Sequence, residues 1–182
     1  MRISLTRLDP TGADRSALVG FMTRNEFPFH VRSRPRAADI EGLIDKGAYR
    51  DEDNDSFWIE HGELGRVGFL CLEDLSDGDP MFDLRLDAPF RGRGLGTEVL
   101  RALADHVFRT LPGANRIEGQ TREDNIPMRR TFLRSGWVKE AHYRDGWPVD
   151  GGAPLASVAY SILRRDWETG TTTELVWDDL AL

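Results

Sequence analysis

One cysteine, Cys71, occurs among the 182 residues, which excludes an intramolecular disulfide and fits a reducing compartment. The four histidines are scattered and share no metal-ligand spacing with that cysteine, so no metal centre is expected. Positive charge is in the minority: 24 Lys and Arg face 31 Asp and Glu, a formal net charge of -7. Such a field repels phosphodiester backbones and attracts cations, so nucleic acid is not an expected partner and an amine is. Long apolar runs are also missing, the longest being a few residues against the roughly 20 that cross a bilayer. The opening Met1-Arg2-Ile3-Ser4 reads as the approach to a strand and not as a secretory leader. No membrane association is expected, and the cytoplasm is the expected location. What is present is ordinary for a folded chain, with 40% apolar and 9% aromatic residues and no repeat or Pro/Ser-rich linker dividing two cores. A single domain over residues 1–167 is expected, followed by a tail over 168–182.

Ile3, Leu5 and Leu8 suggest an opening strand, and Ala17, Leu18, Phe21 and Met22 then share one helical face. A second short helix is expected over 37–46, striped by Ile40, Leu43 and Ile44. Two strand-like runs, Phe57-Trp58-Ile59 and residues 67–72, flank the glycines of a hairpin connection. Residues 81–87 alternate strictly, with Phe82, Leu84 and Leu86 on one face and Asp83, Arg85 and Asp87 on the other. The surest helix begins at Leu95, whose apolar spacing of three and four persists to Leu111, where Pro112-Gly113 closes it. A short strand over 116–121 leads to a helix opened by Asn125, with Pro127 in its first turn and Gly136 ending it. Residues 138–143 and 155–163 read as the last strands. The tail carries Leu175, Val176, Trp177 and Leu180, apolar positions suited to docking on the domain or on a second subunit of a homodimer.

Between the alternating strand and the long helix lies Arg91-Gly92-Arg93-Gly94-Leu95-Gly96. Glycines let the backbone approach a ligand closely, and the unpaired amides and dipole of a helix start favour phosphate. A dinucleotide fingerprint would need glycine where Thr97 stands, and a Walker loop would need Gly-Lys-Ser/Thr. The remaining alternative is a glycine turn that merely feeds a helix. Arg91, Gly94 and Gly96 match the Arg/Gln-x-x-Gly-x-Gly/Ala signature of the GNAT superfamily of acyl-CoA-dependent N-acyltransferases, which the chain resembles. The flanks, Leu86-Asp87-Ala88-Pro89-Phe90, Arg116-Ile117-Glu118, Gly136-Trp137 and residues 160–167, are similar to the branch of the ribosomal-protein N-terminal acetyltransferases RimJ and RimL.

The resemblance implies an α/β (α+β) fold: a mixed sheet of about seven strands, splayed at the acyl-CoA site and flanked by about four helices. It implies acetyl-CoA as co-substrate, its pantetheine arm bonded to main-chain groups near Leu84 and Leu86. The pyrophosphate would be held by the amides of Arg91, Gly92, Arg93, Gly94, Leu95, Gly96 and Thr97. Asn125 would bond the pantetheine side, and Arg129 and Arg130 would lie one turn from there, within reach of the nucleotide; the alternative for the arginines is a solvated helix face. Direct attack on the thioester requires an amine stripped of its proton. Asp83 and Glu118, on the two splaying strands, are the candidate bases, the alternatives being a plain polar face for Asp83 and an arginine pair for Glu118. Relatives use a Tyr or Ser on the following helix as acid, and here those positions are Phe132 and Met128. A non-catalytic acyl-CoA-binding module is therefore the alternative to an enzyme. The acceptor side would be formed by the loops carrying Phe27, Phe29 and His30 and carrying Trp147, either as ligand contacts or as anchors to the core. Cys71, in an apolar strand, reads as core.

Overall fold

The computed structural model describes residues 2–176. In chain order the elements are β1 (Ile3–Arg7), α1 (Arg15–Arg24), α2 (Ala37–Asp45), β2 (Asp55–His61), β3 (Gly65–Glu73), β4 (Met81–Leu86), α3 (Leu95–Thr110), β5 (Arg116–Arg122), α4 (Ile126–Arg134), β6 (Val138–Trp147), β7 (Leu155–Leu163) and α5 (Arg164–Thr169). The seven expected strands are present among the described residues, in two antiparallel sheets ordered β1-β2-β3-β4 and β5-β7-β6. A fifth helix, α5, occupies Arg164–Thr169, where the expected stop was a strand end.

Two apolar clusters lie on opposite faces. α3 buries Val99, Leu103 and Val107 against Phe57, Leu70, Leu72 and Phe82, while α1 and α2 bury Leu18, Phe21, Met22, Ile40 and Ile44 against Trp58, Phe69 and Cys71. β3 is thus buried on both faces, which explains why its sequence is an apolar run and not an alternation. β4 faces water less symmetrically, and its alternation is legible: Phe82, Leu84 and Leu86 turn to the α3 side.

β6 runs four residues beyond the expected end, because Trp147 still pairs with Leu155 across an irregularity that begins after Tyr143. The loop expected over 145–150 therefore begins inside a strand, with Asp145 in the left-handed region at φ 53°. In the tail, Thr173 donates to Asp166 (2.5 Å) and Thr172 to the Gly136 carbonyl (3.4 Å). Leu175 and Val176 are exposed. Trp177 and Leu180 lie outside the described residues. No helix among the described residues is long and apolar enough to cross a membrane.

Candidate functional site

The two sheets meet at β4 and β5. Among the described residues one backbone hydrogen bond joins them, from Glu118 N–H to the Pro80 carbonyl (3.1 Å). Beyond it they separate, and the parity of the ladders decides which groups face the gap. Asp87 donates to Val67 directly opposite, so Asp87, Arg85 and Asp83 direct their backbone groups at β3, and Leu84 and Leu86 direct theirs at β5. Likewise Arg164 and Glu123 donate to Asn115 and Ala156, so Ile117, Gly119 and Thr121 face β7, and Gln120 faces β4. The carbonyl of Leu86 is taken by Arg91 Nε (2.8 Å). The Leu84 amide and carbonyl and the Leu86 amide have no partner among the described residues. A buried aromatic wedge closes the apex: a Cβ on Gly119 would stand 2.7 Å from Phe82 and from Phe132. Glycine is required there.

At the far end of β4 the glycine loop turns into α3. Gly92 and Gly94 have φ of 73° and 83°, and a Cβ on either would meet nothing within 4 Å. Conformation, not crowding, demands glycine at both. The amides from Gly92 to Gly96 have no acceptor among the described residues, whereas those of Arg91 and Thr97 bond to Ala88 and Gly94. Five free amides at the start of a 16-residue helix, next to unpaired strand groups, fit an extended ligand ending in a pyrophosphate. The Arg93 guanidinium stays with this loop, 6.0 Å from the Phe90 ring centroid. The Arg91 side chain turns inward instead, donating to the Glu26 carbonyl (2.6 Å) and standing 5.1 Å from the Phe27 ring. Its contribution is to brace the loop against the end of α1, together with Arg24 on Asp87 (2.6 Å) and the Ala88 amide on Asn25 (2.9 Å).

On the α1–α2 side of the splay, Asp83 accepts from Arg85 Nε (2.8 Å) and lies 3.0 Å from His30 Nε2. Burial opposes its charged form, but the charges of Arg85 and His30 and their hydrogen bonds outweigh it and hold the carboxyl well below the usual carboxylate range. Glu118 is bonded by Arg116 (2.9 Å) and Gln120 (2.9 Å). Both candidate bases therefore carry arginines. Behind Asp83, burial and the charges of Asp83 and Asp74 push Glu73 up to about 7. Phe29 stacks under Arg122 of β5, 5.1 Å from the guanidinium, which ties the α1–α2 loop to the far side of the splay. Trp147 is half-buried, and its Nε1 has no acceptor among the described residues.

Three of the expected site residues are engaged within the protein. Phe27 is 2% exposed, enclosed by Phe21, His30, Arg85 and Arg91, so its ring has no face left for an acceptor. Asn125 uses its side chain within the protein, accepting from the Met128 amide (3.3 Å) as the cap of α4 and donating to Thr121 (2.9 Å). Arg129 donates to the Glu123 carbonyl (2.6 Å) and to the Tyr160 hydroxyl (3.2 Å). Phe132 is fully buried and stacked on Tyr160 at 4.8 Å, and Met128 packs on the same core. Sequence reasoning missed the roles of Arg85, Arg122 and Tyr160, whose contacts with Phe27, Phe29 and Arg129 join residues distant in the chain. Of the other histidines, His61 caps its own hairpin, His106 packs on Phe57 and His142 stands 3.9 Å from Glu123. Cys71 is buried, and burial pushes its thiol up. Among the described residues no group of three or more His, Cys, Asp or Glu could hold a metal ion.

A splayed pair of strands leading to an amide-lined helix start is the arrangement that the resemblance to the GNAT superfamily implies. The chain matches the acetyltransferase (GNAT) domain family over residues 2–138 and belongs to that family. It is an N-acetyltransferase. Its fold is similar to spermidine N-acetyltransferase from Vibrio cholerae in complex with CoA and spermine, with TM-score 0.78 and 16% identity over 92% of this chain and 98% of that one. The dodecameric structure of the same enzyme in an intermediate state gives TM-score 0.72 and 15% identity over 91% and 96%. A probable acetyltransferase gives TM-score 0.73 and 23% identity over 91% and 95%. No match to a curated protein was found.

Proposed function

We propose that the protein transfers the acetyl group of acetyl-CoA to a primary amine, by direct attack while both substrates are bound, and that it falls in the RimJ/RimL-like branch. The observation that carries this reading is the alignment of the unpaired Leu84 amide and carbonyl and Leu86 amide with the free amides from Gly92 to Gly96. Acetyl-CoA supplies the activated acyl carbonyl; the protein's own part is to bind, orient and move protons. Leu84 and Leu86 would bond an inserted extended arm as a strand would, and the loop amides would hold its pyrophosphate.

The amine approaches from the α1–α2 side, past His30, Phe29 and Trp147. Several carboxylates around the splay already hold arginines: Asp83 holds Arg85, Asp87 holds Arg24, Glu26 holds Arg34, Asp124 holds Arg122, and Glu118 shares Arg116 with Glu140. A polycation that used these carboxylates would have to displace their arginines. That favours an acceptor with one reacting amine, such as a peptide N-terminus or a small molecule, over a polyamine like that bound by the Vibrio relative. The lone buried Cys71 supports a reducing, cytoplasmic setting. The family match and the spermine-bound neighbour support an amine acceptor; neither phenolic nor hydroxyl acid stands at Phe132 or Met128, so the thiolate would leave unaided or with water.

Coenzyme A release from acetyl-CoA, measured against N-terminal peptides, aminoglycosides, polyamines and free amino acids with mass spectrometry of each product, tests the reading. Amine-dependent release with a product heavier by one acetyl group supports it. Absence of release with every amine tested, from protein shown in the same assay to retain acetyl-CoA, overturns it in favour of an acyl-CoA-binding module.

A further inference from the structure

We propose that His30, positioned by Asp83, is the group that takes the proton from the acceptor amine, an inference that rests on the acetyltransferase reading above. The two carboxylates nearest the apex are poor choices on geometry alone. Both oxygens of Asp83 are engaged, one by His30 and one by Arg85, and the two oxygens of Glu118 are engaged by Arg116 and Gln120. His30 differs. Its Nε2 is committed to Asp83 at 3.0 Å, its ring is set edge-on to Phe27 at 5.5 Å, and its Nδ1 has no partner among the described residues. With Nε2–H donated to a carboxylate, the lone pair resides on Nδ1, a tautomer selected by the second nitrogen's bond. The side chain keeps 27% exposure, so an acceptor can reach it.

Its place in the fold suits the task. Asp83 stands three residues beyond Pro80, where β4 and β5 part, and one residue before Leu84, whose backbone groups are the first to face the gap unpaired. Phe82 and Leu84 face α3, so Asp83 and the His30 above it stand on the opposite, acceptor side. The charged and titratable groups around the pair are Arg85 on β4, Glu73 on β3 and Tyr49 between α2 and β2.

The acceptor arrives as an ammonium and gives one proton to His30 Nδ1. The freed lone pair forms the N–C bond to the acyl carbon, and the C–S bond breaks with its electrons on sulfur. The second amine proton reaches that sulfur through water, and His30 later returns its proton to solvent.

Three measurements test this on the full chain. His30→Gln is expected to lower kcat/KM about 100-fold at pH 7, the scale of a lost general base, with the acetyl-CoA dissociation constant from calorimetry changed less than twofold. The loss should shrink as pH rises toward the pKa of the amine, and small imidazoles should restore activity to His30→Ala in proportion to their basicity. Asp83→Asn should lower kcat/KM with the acetyl-CoA dissociation constant changed less than twofold, and the double variant with His30→Gln should lose no more activity than His30→Gln alone, as expected when Asp83 acts only through His30. A wild-type pH profile in His30→Gln, or a further loss of activity when Asp83→Asn is added to it, overturns the inference. Wild-type protein inert toward every amine overturns instead the reading on which it rests.

Discussion

Gly94 caps α3 at φ 83°, with open space where a Cβ would project. Replacing it separates the conformational role of the loop from its electrostatic one. Any L side chain there meets left-handed strain of about 1–2 kcal/mol, which for a chain of this size lowers Tm by about 2–8 °C. Gly94→Ala, Gly94→Gln and Gly94→Glu should share that penalty. Only the last adds a charge where a pyrophosphate would lie. At about 6 Å and an effective dielectric of about 40, two phosphate charges repel one carboxylate by about 3 kcal/mol in all, or roughly 100-fold in Kd. Calorimetric titration with acetyl-CoA should therefore show Gly94→Glu about 100-fold weaker than Gly94→Gln, while both melt alike. Equal binding by the two would show that the amides from Gly92 to Gly96 are not where the pyrophosphate sits.

Gly119→Ala drives a methyl into the Phe82 and Phe132 rings, 2.7 Å away; such overpacking costs about 1–3 kcal/mol, and an unchanged Tm would refute the tight apex. For Glu73, held at about 7 by burial and by Asp83 and Asp74, the folded chain keeps a proton that the unfolded chain loses near its ordinary value of 4.5. Stability therefore falls as pH rises from 4.5 to about 7, and Glu73→Gln should raise Tm at pH 8 but not at pH 4.5; a pH-independent effect would contradict this. The buried Cys71 thiol, with its pKa pushed up, should resist alkylation at pH 8 until the chain is unfolded. Rapid native labelling, read by mass spectrometry, would contradict that burial.

Much of the molecule is decided locally. The period of three and four from Leu95, the alternation of residues 81–87 and the glycines before α3 each follow from short-range packing or backbone sterics, and they are readable in order along the chain. So is the character of the glycine loop, because free amides at a helix start are a property of a few consecutive residues. The direction of a side chain is a different matter. Arg91 reads in sequence as part of an anion-binding turn, and in the fold its side chain reaches Glu26, 65 residues away, because the end of α1 packs against the loop. Phe27 reads as a loop aromatic until Arg85 and Arg91 close over it. Asp83 and His30 lie 53 positions apart, and no spacing rule joins them. The sequence by itself determined the elements, their order and the anion-binding turn. Only the tertiary structure decided which charges are already neutralised and which nitrogen is left free, because those depend on long-range pairing that local periodicity does not encode.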